Sequence, residues 1–272
     1  MTEARAIERG GPFTRRSLAD DLTRLGVKPG SVLLVHSSLS ALGYVVGGAQ
    51  AVVLALSDAV GATGTLVMPA HSGDWSEPSN WQRPPVPAAW WDTIRAEMPA
   101  FDPALTPTRG MGAIVECFRH LPGVVRSAHP SVSFVAHGPY ADRITAGHPL
   151  DDGLGERSPL ARVYELDGDV VLLGVGHGNN TSLHLAEHRV TAYPKGWTQQ
   201  SAAVLVDGCR EWVTWTELGI STDDFEQVGE AFAETGAQVV GQVGAARSSF
   251  MSQRAVVDFA AGWFDEHRGA QS

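Results

Sequence analysis

Two short apolar runs, SVLLVH at 31–36 and GTLVMPA at 64–70, bracket a stretch of helical periodicity, AQAVVLALSDAVG at 49–61. Strands apolar at almost every position are buried on both faces, and two of them joined through a helix run parallel with a right-handed crossover. That unit alone commits the chain to layers: a sheet with helices packed on both sides.

The remaining pattern extends this plan. Residues 14–26 read as an amphipathic helix with Thr14 as N-cap and Gly26 just past its end. Further helices are predicted near 111–121, 139–147 and 158–166, with Ser158-Pro159 as N-cap and first residue of the third. Others are expected at 222–236 and 249–266. Strands fall near 131–136 and at 169–175, and Asp207-Gly208 between alternating runs predicts an antiparallel hairpin. The expected fold is α/β, with a mixed, largely parallel central sheet, helices on both faces and antiparallel strands in the C-terminal half.

No repeat, low-complexity tract or linker divides the 272 residues, so one domain spanning 1–272 is expected. Its irregular part is a Pro- and Trp-rich insertion at about 70–110, which carries four of the eight tryptophans. So long an irregular stretch reads as a lid or binding loop, or as aromatics that anchor a loop to the core.

Hydrophobic residues at 43 % and charged residues at 18 % exclude a disordered chain. No apolar run is long enough to cross a bilayer, and the start, MTEARAIERGGPFTRR, lacks the apolar stretch of a secretory signal. Cys117 and Cys209 are too few for a zinc site and read as free thiols, so a cytoplasmic protein without a metal is expected. A net charge of −10 argues against nucleic-acid and anionic-membrane partners. It favours a cationic ligand, although acidic balance is also an ordinary means of staying soluble.

Ligands of open α/β sheets bind beyond the carboxyl ends of the strands, and two stretches sit there: HSSLSALGYVVGG (36–48) and GHGNNTSLHLAEHR (176–189). In the second, Asn180 or Thr181 can cap a helix with His184 in its first turn and Glu187 on the same face. The positive helix end favours the uncharged ring, able to accept a proton, while a carboxylate on the other ring nitrogen would orient it. Spacing alone leaves a solvated helix face equally open. In the first stretch, His36, Ser37 and Ser38 could meet a phosphate or a ligand amide, or form a polar turn. Signatures of nucleotide binders, nucleophile-elbow hydrolases and zincins are absent; GVGHGN lacks the third glycine of a dinucleotide loop.

In their order, VHSSLSALGYVVGGAQAVVLAL, GTLVMP, FDPALTPTRGMGAIVE, RSAHPSVSFVAHG, GLGERSPLARV and LLGVGHGNNTSLHLAE resemble the antibiotic N-acetyltransferase family of aminoglycoside 3-N-acetyltransferases. The resemblance runs from about residue 14 to 200 and more loosely beyond. It implies acetyl transfer from acetyl-coenzyme A to an amine, characteristically the 3-amino group of a 2-deoxystreptamine ring, conferring resistance, on a fold distinct from the common acetyltransferase superfamily. By the same resemblance His184 is the general base and Glu187 its orienting partner. His36, Ser37, Ser38 and Leu39 form the coenzyme-binding turn, Ser158 lies in a segment that helps hold the cofactor, and Arg126 is a candidate phosphate contact.

For this reaction Asp74 and Asp151 are candidate partners for the remaining ammonium groups, and Trp75 and Trp81 candidates to stack on sugar rings. Backbone N–H groups near 36–39 or 181 are candidates to face the thioester oxygen. The expected partners are therefore two small molecules, with monomer and homodimer both open. Another amine as acceptor, or a non-catalytic binder of cationic sugars, are the alternative readings.

Overall fold

A computed structural model describes residues 3–82, 84–191 and 196–269. Helices α1 (Glu3–Glu8) and α2 (Arg15–Leu25) precede β1 (Val32–Ser37), α3 (Gly48–Val60) and β2 (Thr65–Pro69). The insertion holds α4 (Trp91–Glu97), and α5 (Gly112–Phe118), β3 (Val125–Arg126), β4 (Phe134–His137), α6 (Ala141–Thr145), α7 (Pro159–Glu165) and β5 (Asp169–Leu173) follow. Next come α8 (Ser182–Arg189), the hairpin β6 (Trp197–Val206) and β7 (Cys209–Leu218), α9 (Phe225–Glu234), β8 (Val239–Val243), β9 (Ala246–Ser252) and α10 (Gln253–Gly269).

Seven strands form one sheet in the order β3-β4-β2-β1-β5-β9-β8, and β6 with β7 forms a separate ribbon. The central three are parallel, β1 pairing with β2 and with β5. Antiparallel strands flank them on both sides, β4 on β2 and β9 on β5. The expected mixed sheet is therefore present, and its antiparallel edges come from the middle of the chain as well as from its C-terminal half.

Burial on both faces explains the apolar runs. Along β1, Leu33 and Val35 enter a core shared with α2, α3 and α5, while Val32 and Leu34 enter a second core with α6 to α10. β5 alternates in the same way, Val171 and Leu173 against Val170 and Leu172. On α2, Thr14 and Ser17 form the reciprocal cap the sequence announces, and Leu18, Leu22 and Leu25 are buried at helical spacing.

The short elements α1, α4, β3 and β8 are not expected from the sequence, and the C-terminal helix starts later than expected. The last helix begins at Gln253, and residues 246–252 are strand. The inward positions of β9 include Ala246 and Ser248, both buried, so its period-2 pattern is carried by small residues and leaves no apolar alternation to read.

β1 leaves the sheet through α3 on one face and β5 leaves through α8 on the other. Divergent crossovers from adjacent parallel strands open a crevice at their carboxyl ends. There His36 lies beside Leu172 and Ser37 beside Leu173. Gly174, just past β5, has φ +67, and an added Cβ would lie 2.4 Å from Ala41 Cβ. Gly174→Ala is therefore expected to cost roughly 1–3 kcal/mol through strain and overpacking. Urea unfolding measures it, and an unchanged midpoint would contradict the close approach.

Candidate active site

The start of α8 is capped by Asn180, whose fully buried Oδ1 accepts the Ser182 N–H at 3.2 Å. His184 consequently falls in the first turn and Glu187 one turn later, both buried. His184 Nδ1 donates to Glu187 Oε2 at 2.6 Å. The other carboxylate oxygen, Oε1, accepts Arg268 Nη1 at 2.6 Å and the Ser221 N–H at 3.2 Å. Arg268 in turn forks onto Asp224, at 2.7 and 2.6 Å, and lies over the Phe264 ring. A buried carboxylate is tolerated because a guanidinium and directed donors surround it. With Nδ1 committed, Nε2 is the ring nitrogen left for the cavity that His184 lines.

That central cavity, about 220 Å³, is lined also by His36, Ser37, His71, Thr181 and Phe225. It adjoins two larger ones. His71 and Met111 are shared with a cavity of about 840 Å³ lined by Asp74, Trp75, Trp81, Gln200 and Glu217. Ser37, Met111, Val175 and Asn179 are shared with a third of about 710 Å³, lined by Ser38, Leu39, Ser40, Gly48 and Gly112. Burial, reinforced by the neighbouring histidines, pushes the His36 and His71 imidazoles down to about 3, so both are neutral near pH 7. Ser37 Oγ and His71 Nε2 are buried without a hydrogen-bond partner.

The residues expected from sequence divide into two groups. His36 meets His184 in the central cavity, its Nε2 3.4 Å from Thr181 Oγ1, while Ser37, Ser38 and Leu39 line the third. Asp74, Trp75 and Trp81 line the largest. The indoles of Trp75 and Trp81 donate to Pro99 O at 3.0 Å and Ser76 Oγ at 2.9 Å. The rings border a cavity, while their N–H groups bond within the insertion itself.

Three expected residues stand elsewhere. Asp151 is exposed and paired with Arg157 at 2.8 Å, and it borders none of these three cavities. Ser158 is fully buried as the cap of α7, accepting the Leu160 N–H at 3.2 Å and donating to Gly155 O at 2.6 Å. Arg126 directs its donors to Ser133 Oγ, Pro103 O, Thr106 O, Ala70 O and Ser72 Oγ. All five guanidinium N–H groups are then satisfied within the fold, which leaves none for a phosphate. Among the candidate oxyanion donors, the Ser38 N–H already bonds Leu173 O at 2.9 Å. The N–H groups of Ser182, Leu183 and His184 are also taken.

Sequence reasoning missed His71, Glu217 and Arg268. His71 follows β2 as His36 ends β1, so the carboxyl-end rule could have found it. Arg268 lies 81 residues from Glu187 and Glu217 inside a hairpin strand, and neither leaves a local signal.

The model of the aminoglycoside 3-N-acetyltransferase family matches residues 34–265. Aminoglycoside N(3)-acetyltransferase VIII of Streptomyces fradiae is 40 % identical over 283 residues, covering 99 % of this chain and 98 % of the relative. Among solved structures, the YokD protein from Bacillus subtilis superposes with a TM-score of 0.93 at 45 % identity, covering 95 % of this chain and 96 % of that one. The AAC-IIIb binary complex with CoASH follows at 0.84 and 32 %, covering 94 % and 97 %.

Two outcomes follow from how these polar groups are buried and bonded. Arg126→Ala is expected to destabilise the fold by about 2–4 kcal/mol, because several buried acceptors lose their donor, while the coenzyme KM of the folded enzyme stays within about twofold. A large rise in that KM would restore the phosphate role.

The second outcome concerns acid. His36, His71 and His129 are pushed down to about 3 and His148 to about 4, burial being the first cause in each. An unfolded histidine titrates near 6.5, so these groups contribute stability that is complete above that pH and is lost as pH falls toward 3–4. Unfolding free energy should decline below pH 6.5, approaching about 1.4 kcal/mol per pH unit for each such histidine. Urea midpoints that hold level from pH 7.5 to 5 would contradict the burial of these rings.

Proposed function

This chain belongs to the aminoglycoside 3-N-acetyltransferase family, and on that premise we propose that it transfers the acetyl group of acetyl-coenzyme A to an amino group of an aminoglycoside antibiotic, the 3-amino group of a 2-deoxystreptamine ring, with resistance as the consequence. The observation that carries this reading is the row of adjoining cavities with His184 in the middle one. Two reactants can reach one base through separate cavities that adjoin its own.

The third cavity suits the coenzyme. Gly110 and Gly112 line it, and a Cβ added at either meets nothing within 4 Å, so the backbone leaves room for an extended ligand. The unpartnered Ser37 hydroxyl lies where this cavity meets the central one, a fitting donor for a thioester or pantetheine oxygen. The largest cavity, with Asp74, Glu217, Trp75 and Trp81, suits a cationic sugar. The net charge of −10 favours the encounter.

In the proposed step the acceptor nitrogen attacks the thioester carbonyl, an N–C bond forms and the C–S bond breaks, without an acyl-enzyme. His184 Nε2 takes the proton from the amine and returns it to the departing thiolate. Glu187, oriented by Arg268, holds the ring and balances the imidazolium. Among the described residues the Thr181 and Leu39 N–H groups and the Ser37 hydroxyl are candidate donors to the carbonyl oxygen. Cytoplasmic action is part of this reading, and the free Cys117 and Cys209 accord with it.

Thiol release from acetyl-coenzyme A across an aminoglycoside panel, with mass spectrometry locating the new amide, tests the proposal; no release with any acceptor would sink it. His184→Ala is expected to lower kcat by about 10²–10⁴-fold, with the fold retained but the melting temperature lowered, because Glu187 loses a buried partner. Turnover near that of the wild type would remove His184 from the role of base.

A further inference from the structure

Two carboxylates line the 840 Å³ cavity, and their surroundings differ. Asp74 is paired with Arg109 at 2.5 Å, so a cation arriving there shares a carboxylate already partly neutralised by a guanidinium. Glu217, on β7, has no cationic partner among the described residues. Among the described residues its side chain meets one polar partner, the Trp215 indole N–H, 3.4 Å from Oε2. Thr198 stands opposite it on β6, and a second carboxylate, Asp152, raises its proton affinity from the turn at 150–152. A half-buried carboxyl with another negative group nearby is costly to ionise unless a cation joins it.

We propose that Glu217 receives an ammonium group of the acceptor, one distinct from the amine that reacts at His184. The inference rests on the functional reading above and makes it more specific. Glu217 borders the largest cavity and His184 the central one, so a single acceptor must present two amino groups to satisfy both. Sugars with two or more amines are thereby selected over monoamines.

A proton is exchanged in the process. Burial, and then Asp152, push the Glu217 carboxyl up to about 7, with the Trp215 N–H acting in the opposite direction. The other polar and charged groups that line the cavity are Thr198 and Gln200 on β6, Ser131, Ser76, Asn80, Gln82, the neutral His71 and the Asp74–Arg109 pair. Asp152 is itself held by Arg157 and His188. Near pH 7 the carboxyl is partly protonated, and a docking ammonium expels the proton, so cation binding at this group strengthens as pH rises through 7.

The test is calorimetric titration of a 2-deoxystreptamine aminoglycoside at pH 7, in two buffers of different ionisation enthalpy, beside steady-state acetyl transfer. Glu217→Gln is expected to raise the acceptor KM by about tenfold or more, with kcat and the coenzyme KM within about twofold, and to release measurably less proton on binding. Asp74→Asn should change the acceptor KM less. Asp152→Asn, outside the cavity wall, should also reduce the proton release, which keeps the inference exposed if Glu217→Gln fails to fold.

Acetyl transfer by the wild type with acceptor KM and proton count unchanged in Glu217→Gln would overturn this inference and leave the functional reading intact. Wild-type binding of the aminoglycoside, weakened in Glu217→Gln but with no acetyl transfer, would do the reverse. Neither binding nor transfer by the wild type would overturn both.

Discussion

The parallel pairing of β1 with β5 is the constraint on which the site depends. Both strands are buried on both faces, so a one-residue slip would exchange the side chains committed to the two cores. Their register sets His36 beside Leu172 at the carboxyl edge. Because one strand departs through α3 and the other through α8, no backbone closes the space between them. Close packing at Gly174 lets the chain turn immediately past β5. The crevice thus follows from topology before any polar side chain is considered.

Polar chemistry within it is held by residues remote in sequence. Glu187 is buried, and its charge is acceptable only because Arg268 from the last turn of α10 and the Ser221 N–H reach its second oxygen. Arg268 is itself steadied by Asp224. One carboxylate therefore ties α8, the segment before α9 and the end of α10 around the His184 ring. The insertion is fixed by the Trp75 bond to Pro99 within it and by Arg126 of β3, which donates to the 103–106 segment. Aromatic rings border the cavity without the loop having to be mobile.

Local signals were legible wherever a residue's role is settled by its near neighbours. The Thr14 cap, the Asp-Gly hairpin, the Ser158-Pro159 helix start and the His184–Glu187 pair each involve residues within a few positions of one another, and each stands where the pattern put it. The polar residues assigned to ligands at a distance fared differently. Ser158 and Arg126 are absorbed by the fold, and Asp151 by Arg157, because hydrogen-bonding capacity meets the nearest partner available and sequence does not show which partner that is.

The sequence by itself determined the layered α/β architecture, the two strand ends at which a ligand can bind and the imidazole–carboxylate pair. Those follow from hydrophobic period and helical spacing, which are properties of neighbouring residues. Tertiary structure alone decided that His71 joins the central cavity, that Arg268 supports Glu187, and that Glu217 faces the largest cavity without a cation while Asp74 has one. Burial and charge pairing are sums over everything folded around a group, and most of that surrounding comes from distant parts of the chain.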